Sequence, residues 1–550
     1  MKKKNLYIVA ALFLAGSLGS CSKAFLEVKP EDSIVDANFY QTSDQVLAGS
    51  APLYNKVWFD YNDKASHGIG DARGGVLFSG SYQIDNIQMK TTSVTPEVSA
   101  SWQSFFNVVA QSNSLIINVE KYSGAGVPEN VKQHAIAEAR FMRGLAYSFL
   151  VENWGPVPII TDNSGSLLDT SITRNTVESV WQFILRDLRF ASENLPASPV
   201  QKGRLTKWAA EGMLAKMYLV RSGVGQTGTR NQKDLDSAKI LAQDVITNSG
   251  ASLMQNYDDL FLMKNNNNQE SLFALQWKYD GDWGTQNSVQ AYLAFDPSIT
   301  GFGDGWGGDI GASMYIMSMY ENFDKRRKST FMFPGDHYTN IHQGVPDPND
   351  AKKTIEVLLD VPVRSKDENQ IQYGARAWTK KYVVGRPSDN DGKVLQQRTE
   401  INTYMLRLAD VYLVLAEAIL GNNNSTSDAT ALQFFNAVHQ RAGLDPKTAI
   451  TADDIFKERF LEFAMEGQAW YQIVQLHYYN PTKAVQILNS QDRGSYRIYP
   501  NELTNATSWK IQSDQKATYP VSEANFYLPI PSTEMTMAPN LAKPPVPYQF

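Results

Sequence analysis

Residues 277 to 306 hold Trp277, Tyr279, Trp283, Tyr292, Phe295, Phe302 and Trp306, seven aromatic side chains where the chain average of 11% gives about three. Flat apolar rings beside carboxylates and amides suit a ligand with one C–H-rich face and a hydroxyl edge, which is the chemistry of a sugar. The stretch Gly301-Phe-Gly-Asp-Gly-Trp-Gly-Gly308 places Phe302 and Trp306 on permissive backbone, where a large core contact is hard to organise. Trp283, Trp306 and Phe302 are therefore the expected ring contacts, with Asp282, Asn287, Asp304 and Asp309 as hydroxyl partners. Trp277 and Tyr292 read as core positions of a strand and a helix. A second aromatic group, Trp58, Tyr61 and Tyr82 with His67 and Arg73, surrounds a glycine-rich stretch (Gly68, Gly70, Gly74, Gly75).

Other chemistries fail on spacing. Asp389-Asn-Asp-Gly392 resembles a fragment of a calcium loop, but Pro387 occupies the first ligand position and Arg398 the twelfth. Calcium elsewhere among the Asp side chains stays open, and no other cofactor is expected. His337 and His342 are off the spacing of a zinc-binding helix. Gly301-x-Gly-x-Gly lacks the Lys-Ser/Thr of a phosphate loop, and no G-x-S-x-G nucleophile elbow exists. Asp280, Asp282, Asp304 and Asp309 make a glycosidase-type carboxylate pair conceivable, though nothing fixes a separation.

The elements that must position these residues begin after a processed N-terminus. Lys2-Lys-Lys4, an apolar run from Leu6 to Ala15, and Leu18-Gly-Ser-Cys21 read as a lipoprotein signal over residues 1–20, with Cys21 the acylated first residue. Cys21 is the only cysteine, so disulfides within the chain and thiolate metal sites are excluded. Cleavage removes three lysines and takes the formal charge from −6 to −9, which argues against nucleic acid as a partner. Residues 21–38 read as a linker from the lipid, and no later run of apolar residues is long enough for a bilayer-spanning helix.

Helical periodicity dominates 39–255. Amphipathic runs cover 43–58, 100–122, 131–150, 176–194, 206–222 and 234–249. Residues 256–400 form a loop-rich insert with a strand over 270–279 and loops at 335–350 and 386–392. Helices return over 402–420, 428–442 and 452–468 within 401–550, with Gly421 and Gly443 as stops and Thr451 with Asp454 as a cap. The proline-rich tail from 521 to 550 is expected to be non-helical. Helices in antiparallel series with alanine-rich contacts indicate a mainly α, tetratricopeptide-like superhelix carrying the insert and few short strands. Trp102, Trp154, Trp181, Trp208 and Trp470 belong to helical patterns and read as structural.

Several segments, in order, resemble the SusD/RagB family of outer-membrane nutrient-binding lipoproteins. They are FLEVKP (25–30) with FYQT (39–42), AEARFMRGLAYSFLVENWGPVPII (137–160), GRLTKWAAEGMLAKMYL (203–219), YMLRLADVYLVLAEAI (404–419), HQRAGL (439–444), ERFLEFAMEGQAWYQIV (458–474) and YLPIPSTEM (527–535). Ala469 stands where the family usually has Arg, and Pro547-Tyr548 lacks the usual preceding Gln-Asn. The resemblance implies four tetratricopeptide-like helix pairs and surface exposure on the outer membrane through the N-terminal lipid. It further implies a partner, a SusC-like TonB-dependent transporter, and capture of an oligosaccharide without catalysis. It also implies that the early glycine-rich stretch contributes to the ligand face, which adds Tyr82 and Arg73 to the expected contacts. Peptide binding within the same architecture is the alternative, and a surface glycoside hydrolase the remote one.

Overall fold

The computed structural model describes residues 36–164, 169–321, 323–362, 376–500 and 509–550. The lipoprotein signal, Cys21 and nearly all of the 21–38 linker lie outside the described residues.

Among the described residues, ten longer helices build the scaffold: α1 (Pro96–Tyr122), α2 (Glu129–Trp154), α3 (Val177–Asn194), α4 (Lys207–Arg221) and α5 (Gln232–Asn248), then α6 (Leu408–Leu420), α7 (Ala429–Arg441), α8 (Ala452–Glu462), α9 (Ala469–His477) and α10 (Pro481–Ser490). Their ends follow local chemistry. Pro96 opens α1 where a missing N–H costs nothing. Thr176, Thr206 and Asn231 each accept a backbone N–H at the start of α3, α4 and α5. Thr451 and Asp454 form the expected reciprocal cap of α8. Gly155, Gly421 and Gly443 follow α2, α6 and α7 with positive φ, as expected of C-terminal stops.

Successive helices pack against one another from α1 through α7, and α5 meets α6 directly although the insert separates them in sequence. This is the expected serial stack. Small residues set the close approaches: a Cβ on Gly144 would lie 3.3 Å from Leu188, and one on Gly212 would lie 3.0 Å from Leu406. Helix α2 is buried at nearly every position from His134 to Trp154, so it is the central element of the core. Truncating a ring such as Phe141 there would cost about 3–5 kcal/mol.

The insert is closed at its base by an antiparallel pair, β2 (Ser271–Leu275) with β8 (Thr403–Arg407). A four-stranded sheet of two-residue strands runs in the order β1 (Leu77–Phe78), β3 (Gly311–Ala312), β7 (Trp378–Thr379), β4 (Phe331–Met332), and it ties the insert to the N-terminal half. An ion-pair network ties it to the C-terminal half. Arg407 contacts Glu270 (2.6 Å), Glu462 (2.9 Å) and Glu466 (2.8 Å), and Arg441 reaches Glu270 and Glu462. Lys381 pairs with Glu466 at 3.0 Å, and Arg326 with Asp324 and Glu458. All of these side chains are buried.

Four expectations are corrected. Residues 337–360 are a long hairpin, β5 (His337–Asp347) with β6 (Asp350–Asp360), rather than a loop; its largely polar, exposed strands hide the apolar alternation that marks a half-buried ribbon. The helix expected from 402 begins at Leu408, because residues 403–407 are used as β8. The run 43–58 stops at Gly49, and a π-helix follows at Tyr61–Ala72. The tail does carry short helices, Glu523–Phe526 and Ser532–Met537, fitted between its prolines.

Candidate binding site

Two aromatic stations stand on the insert. At the first, Trp306 is 49% exposed and meets Tyr292 edge-on at 5.4 Å, while Tyr292 stacks on Tyr82 at 6.0 Å and 22°. The loop that presents Trp306 is laid tightly over the short helix before it: the Trp306 N–H donates to Ala291 O and the Gly307 N–H to Ala294 O, both at 2.8 Å. Glycine is required for this. A Cβ on Gly307 would fall 2.3 Å from Leu293 O, and Gly305 adopts φ +120° with Asp296 backbone 2.8 Å away. The glycines of this loop therefore fix the ring rather than free it. Phe302 is half-buried against the core.

At the second station, Trp283 is 52% exposed, with Phe59 edge-on at 5.8 Å and the Arg398 guanidinium 5.5 Å from its ring. Arg398 is held there by donating to Gly281 O at 2.9 Å. Asp282, exposed beside Trp283, offers a carboxylate at the rim.

The segment between the stations starts the π-helix. Phe59 contacts Trp283, and one turn later Asp63 and Lys64 lie in the electrostatic neighbourhood of Tyr292. Burial, then the Asp63 charge, raises the Tyr292 phenol. Burial pushes the Asp63 carboxyl up even though the Ser288 hydroxyl donates to it. Lys64 pairs with Asp60 at 2.8 Å, and that contact raises its ammonium. Asp60 and Lys64 are open to solvent and able to meet hydroxyl groups, whereas Asp63 is buried. Burial also raises the Tyr82 phenol, so it stays protonated.

The structure joins Trp306 to Tyr82 through Tyr292, and leaves Trp283 and Asp282 exposed at the second station. It reassigns four of the expected polar contacts. Arg73 is fully buried: it donates to Thr91 Oγ1 and to the carbonyls of Asn525 and Phe526 and stacks over Trp470 at 4.4 Å. Burial, with Arg493 nearby, lowers its pKa to about 9. The glycine-rich stretch that seemed to expose it is the buried end of the π-helix, where a Cβ on Gly70 would meet Gly467 O at 2.3 Å and one on Gly74 would meet the Ala469 Cβ at 2.6 Å. Asn287 is buried and exchanges backbone bonds with Thr399 while its amide donates to Ile401 O at 2.7 Å. Asp304 is 2% exposed and accepts the Gln397 N–H at 2.6 Å.

Asp309 has a different task from the one expected. Its carboxylate accepts from the Ser79 and Ser81 hydroxyls (2.9 and 3.0 Å), the Gly80 N–H and the Arg376 guanidinium. Burial alone would raise this carboxyl; the bonds from Ser79 and Arg376 bring it below the usual range instead. Asp309 therefore clamps the loop bearing Tyr82 to the loop bearing Trp306. Trp277 is core, as expected, and donates to Thr403 Oγ1 at 3.0 Å. Tyr292, expected in the core, is half-exposed between the other two rings.

Sequence reasoning missed Phe59, Lys64 and Arg398, which reach the site only through tertiary contacts across the chain. The Asp389 carboxylate is taken up by the His342 and Arg386 backbone N–H groups and the His342 ring, so the calcium-like fragment is a closed turn. Among the described residues, no group of three or more His, Cys, Asp or Glu is placed to hold a metal. Among the same residues, no helix is long and apolar enough to cross a membrane.

The chain matches known proteins along its length. Residues 211–546 match the family model described as SusD family, and residues 24–219 match one described as starch-binding, associating with outer membrane. A SusD-like protein of Bacteroides ovatus is 40% identical over 100% of this chain and 99% of its own length. A crystal structure containing xylogluco-oligosaccharide is 38% identical, with a TM-score of 0.81 over 92% of this chain and 99% of that one. A laminarin-binding SusD-like protein shares the fold at 22% identity, with a TM-score of 0.65 over 92% of this chain and 99% of its own.

Proposed function

Because the chain belongs to the SusD family, we propose that the two-station face binds a glycan at the cell surface and hands it to a TonB-dependent outer-membrane transporter. The observation that carries this reading is the pair of half-exposed tryptophans, Trp283 and Trp306, each braced edge-on by another ring. Half of each large apolar ring is left in water, a cost that a ligand with a C–H-rich face removes. Asp60, Lys64, Asp282 and Arg398 supply hydroxyl partners around the rings.

The ligand class is a xylogluco-oligosaccharide or a chemically similar chain. The support is the 38%-identical structure that contains one, together with two exposed tryptophans rather than one. A peptide ligand would call for backbone pairing or apolar side-chain pockets, which neither station offers. The role is binding rather than hydrolysis. Of the four aspartates that made a catalytic pair conceivable, Asp304 is buried and Asp309 is engaged by four donors. In the family setting, Cys21 carries the lipid that tethers the protein to the outer membrane. Cys21→Ser should release the protein from the membrane fraction, and persistent membrane association would overturn that anchor.

The test of binding is calorimetric titration with xylogluco-oligosaccharide. Trp283→Ala and Trp306→Ala are each expected to weaken affinity by at least ~1 kcal/mol, the lower range for an aromatic anchor, with unfolding temperatures unchanged. Incubation with the same sugar should leave its chain length unchanged; protein-dependent shortening would overturn the binding-only role.

A further inference from the structure

The chain passes from Trp283 of one station to Tyr292 of the other along a single short segment of the insert, and a tight turn is paired to the middle of that segment. The Asn287 N–H donates to Thr399 O at 3.1 Å, and the Thr399 N–H donates to Asn287 O at 2.9 Å. Just before Thr399, Leu395 and Arg398 exchange two backbone bonds of 3.0 Å, which leaves Gln396 and Gln397 at the tip. The turn reaches both stations. On one side Arg398 donates to Gly281 O and stands over the Trp283 ring. On the other, the Gln397 N–H donates to the carboxylate of Asp304 at 2.6 Å, two residues before Trp306.

The conformation of the turn is held rather than relaxed. Gln397 has φ +53°, a left-handed backbone that glycine adopts far more readily than a residue with a Cβ. It is the second residue of a two-residue turn, a place where glycine is usual. Asp304, which fixes it, is 2% exposed, and among the described residues its other carboxylate oxygen has no hydrogen-bond partner. The Thr300 hydroxyl holds the Asp304 backbone by donating to its carbonyl at 2.6 Å. A desolvated carboxylate devoted to one backbone N–H is costly to the fold. Strain maintained by such a group points to a conformation that has a use.

The side chains at the tip supply that use. Leu395 is 42% exposed, Gln396 is exposed and Gln397 half-buried. Other amides of the insert are already engaged. Gln276 and Asn267 bond each other reciprocally at 2.7 and 2.9 Å, and Gln290 accepts the N–H groups of Val384 and Gly385. Among the described residues, neither the Gln396 nor the Gln397 carboxamide makes a hydrogen bond within the protein. Each offers one acceptor oxygen and two N–H donors, the complement of neighbouring sugar hydroxyls.

We propose that the turn Leu395–Arg398 is a middle subsite, where the Gln396 and Gln397 carboxamides bond the hydroxyls of a sugar unit lying between Trp283 and Trp306. Asp304 is the positioning residue that holds the turn in place. This rests on the reading of the two stations as a glycan-binding face, and it assigns the hydroxyl contacts between the rings to one strained turn.

The experiment titrates xylogluco-oligosaccharide calorimetrically into the full chain and its variants, with unfolding temperatures recorded on the same samples. Gln396→Ala and Gln397→Ala should each weaken affinity about fivefold, the scale of one lost hydrogen bond. Gln397→Gly should weaken it as much while its unfolding temperature stays at or above the wild-type value, because glycine relieves the left-handed strain. Asp304→Ala should weaken affinity about fivefold, and Asp304→Asn, which keeps an acceptor oxygen, should restore most of it. In the Gln396→Ala, Gln397→Ala double variant, adding Asp304→Ala should cost little more, because Asp304 acts through the turn. Wild-type affinity in the double glutamine variant overturns the subsite, and a full additional loss from Asp304→Ala in that background overturns the positioning role. If Trp283→Ala weakens binding and the glutamine variants do not, the middle subsite falls alone. If the wild type does not bind the sugar, the glycan reading falls and the subsite with it.

Discussion

Arginine sits beside aromatic rings in two parts of this molecule, with opposite consequences. In the scaffold, Arg407 is buried against Phe463 at 4.8 Å and shared among Glu270, Glu462 and Glu466. On the insert, Arg398 stands partly exposed over Trp283 and donates to the Gly281 carbonyl. The first arrangement saturates its donors and locks three chain segments together; the second keeps donors and a ring face for something that arrives from solution. Saturation marks the parts that hold the fold, and incompleteness marks the face proposed to bind.

The largest effect should come from opening the saturated side. Arg407→Ala leaves three buried carboxylates without their shared cation, and a loss of about 3–5 kcal/mol in denaturant unfolding is expected. Sugar affinity of the molecules that remain folded should be unchanged.

The same network sets an acid limit. Although burial would raise it, Arg441, Arg407 and Arg326 hold the Glu462 carboxyl at about 2, against an ordinary value of 4.5. A depressed folded pKa stabilises above the unfolded value and loses that contribution as protons return, so stability should fall as pH drops from about 4.5 towards 2. In Glu462→Gln the unfolding temperature should be lower at neutral pH and change less across that window. An equally steep acid limb in the variant would remove Glu462 from the account.

Asp309 lies between the two regimes, saturated in its bonds but placed to position the site. Asp309→Ala frees the Tyr82 and Trp306 loops from each other, and a loss of about 1 kcal/mol in sugar affinity is expected with little change in unfolding temperature. The smallest effect should be Arg398→Ala, about 0.5 kcal/mol of affinity, the range of an exposed cation–ring contact. Arg73→Ala is its mirror: Arg73 is wholly buried, so its loss should lower unfolding temperature and leave affinity alone.

The same contrast explains what could be read from the sequence. The segments that resemble the family contain Arg407, Asp410, Glu458, Arg459, Glu462 and Glu466, so they record the saturated knot and the helices around it. Helix periodicity and caps placed most of the scaffold for the same local reasons. The candidate binding face has no such record. Trp283 and Trp306 stood out because an uneven local count of large rings on glycine-rich backbone is visible in one stretch. Arg73 misled because glycines beside it suggested an open loop, whereas they permit the π-helix to press against Gly467 and Ala469. Asn287, Asp304 and Asp309 have the right chemistry for hydroxyl groups, but only the fold reveals that the first two are buried and that Asp309 is already engaged by four donors. Arg398, more than a hundred residues from Trp283, could be assigned only from the fold.

The central claim is that Trp283 and Trp306 bind one sugar chain without contributing to the fold. The direct measurement is calorimetric titration of xylogluco-oligosaccharide into wild type, the two single alanine variants and the double variant, with unfolding temperatures recorded on the same samples. The account predicts affinity losses of at least ~1 kcal/mol for each single substitution, no detectable binding by the double variant, and unfolding temperatures that coincide with wild type. Wild-type affinity in the double variant, with the fold intact, would contradict it.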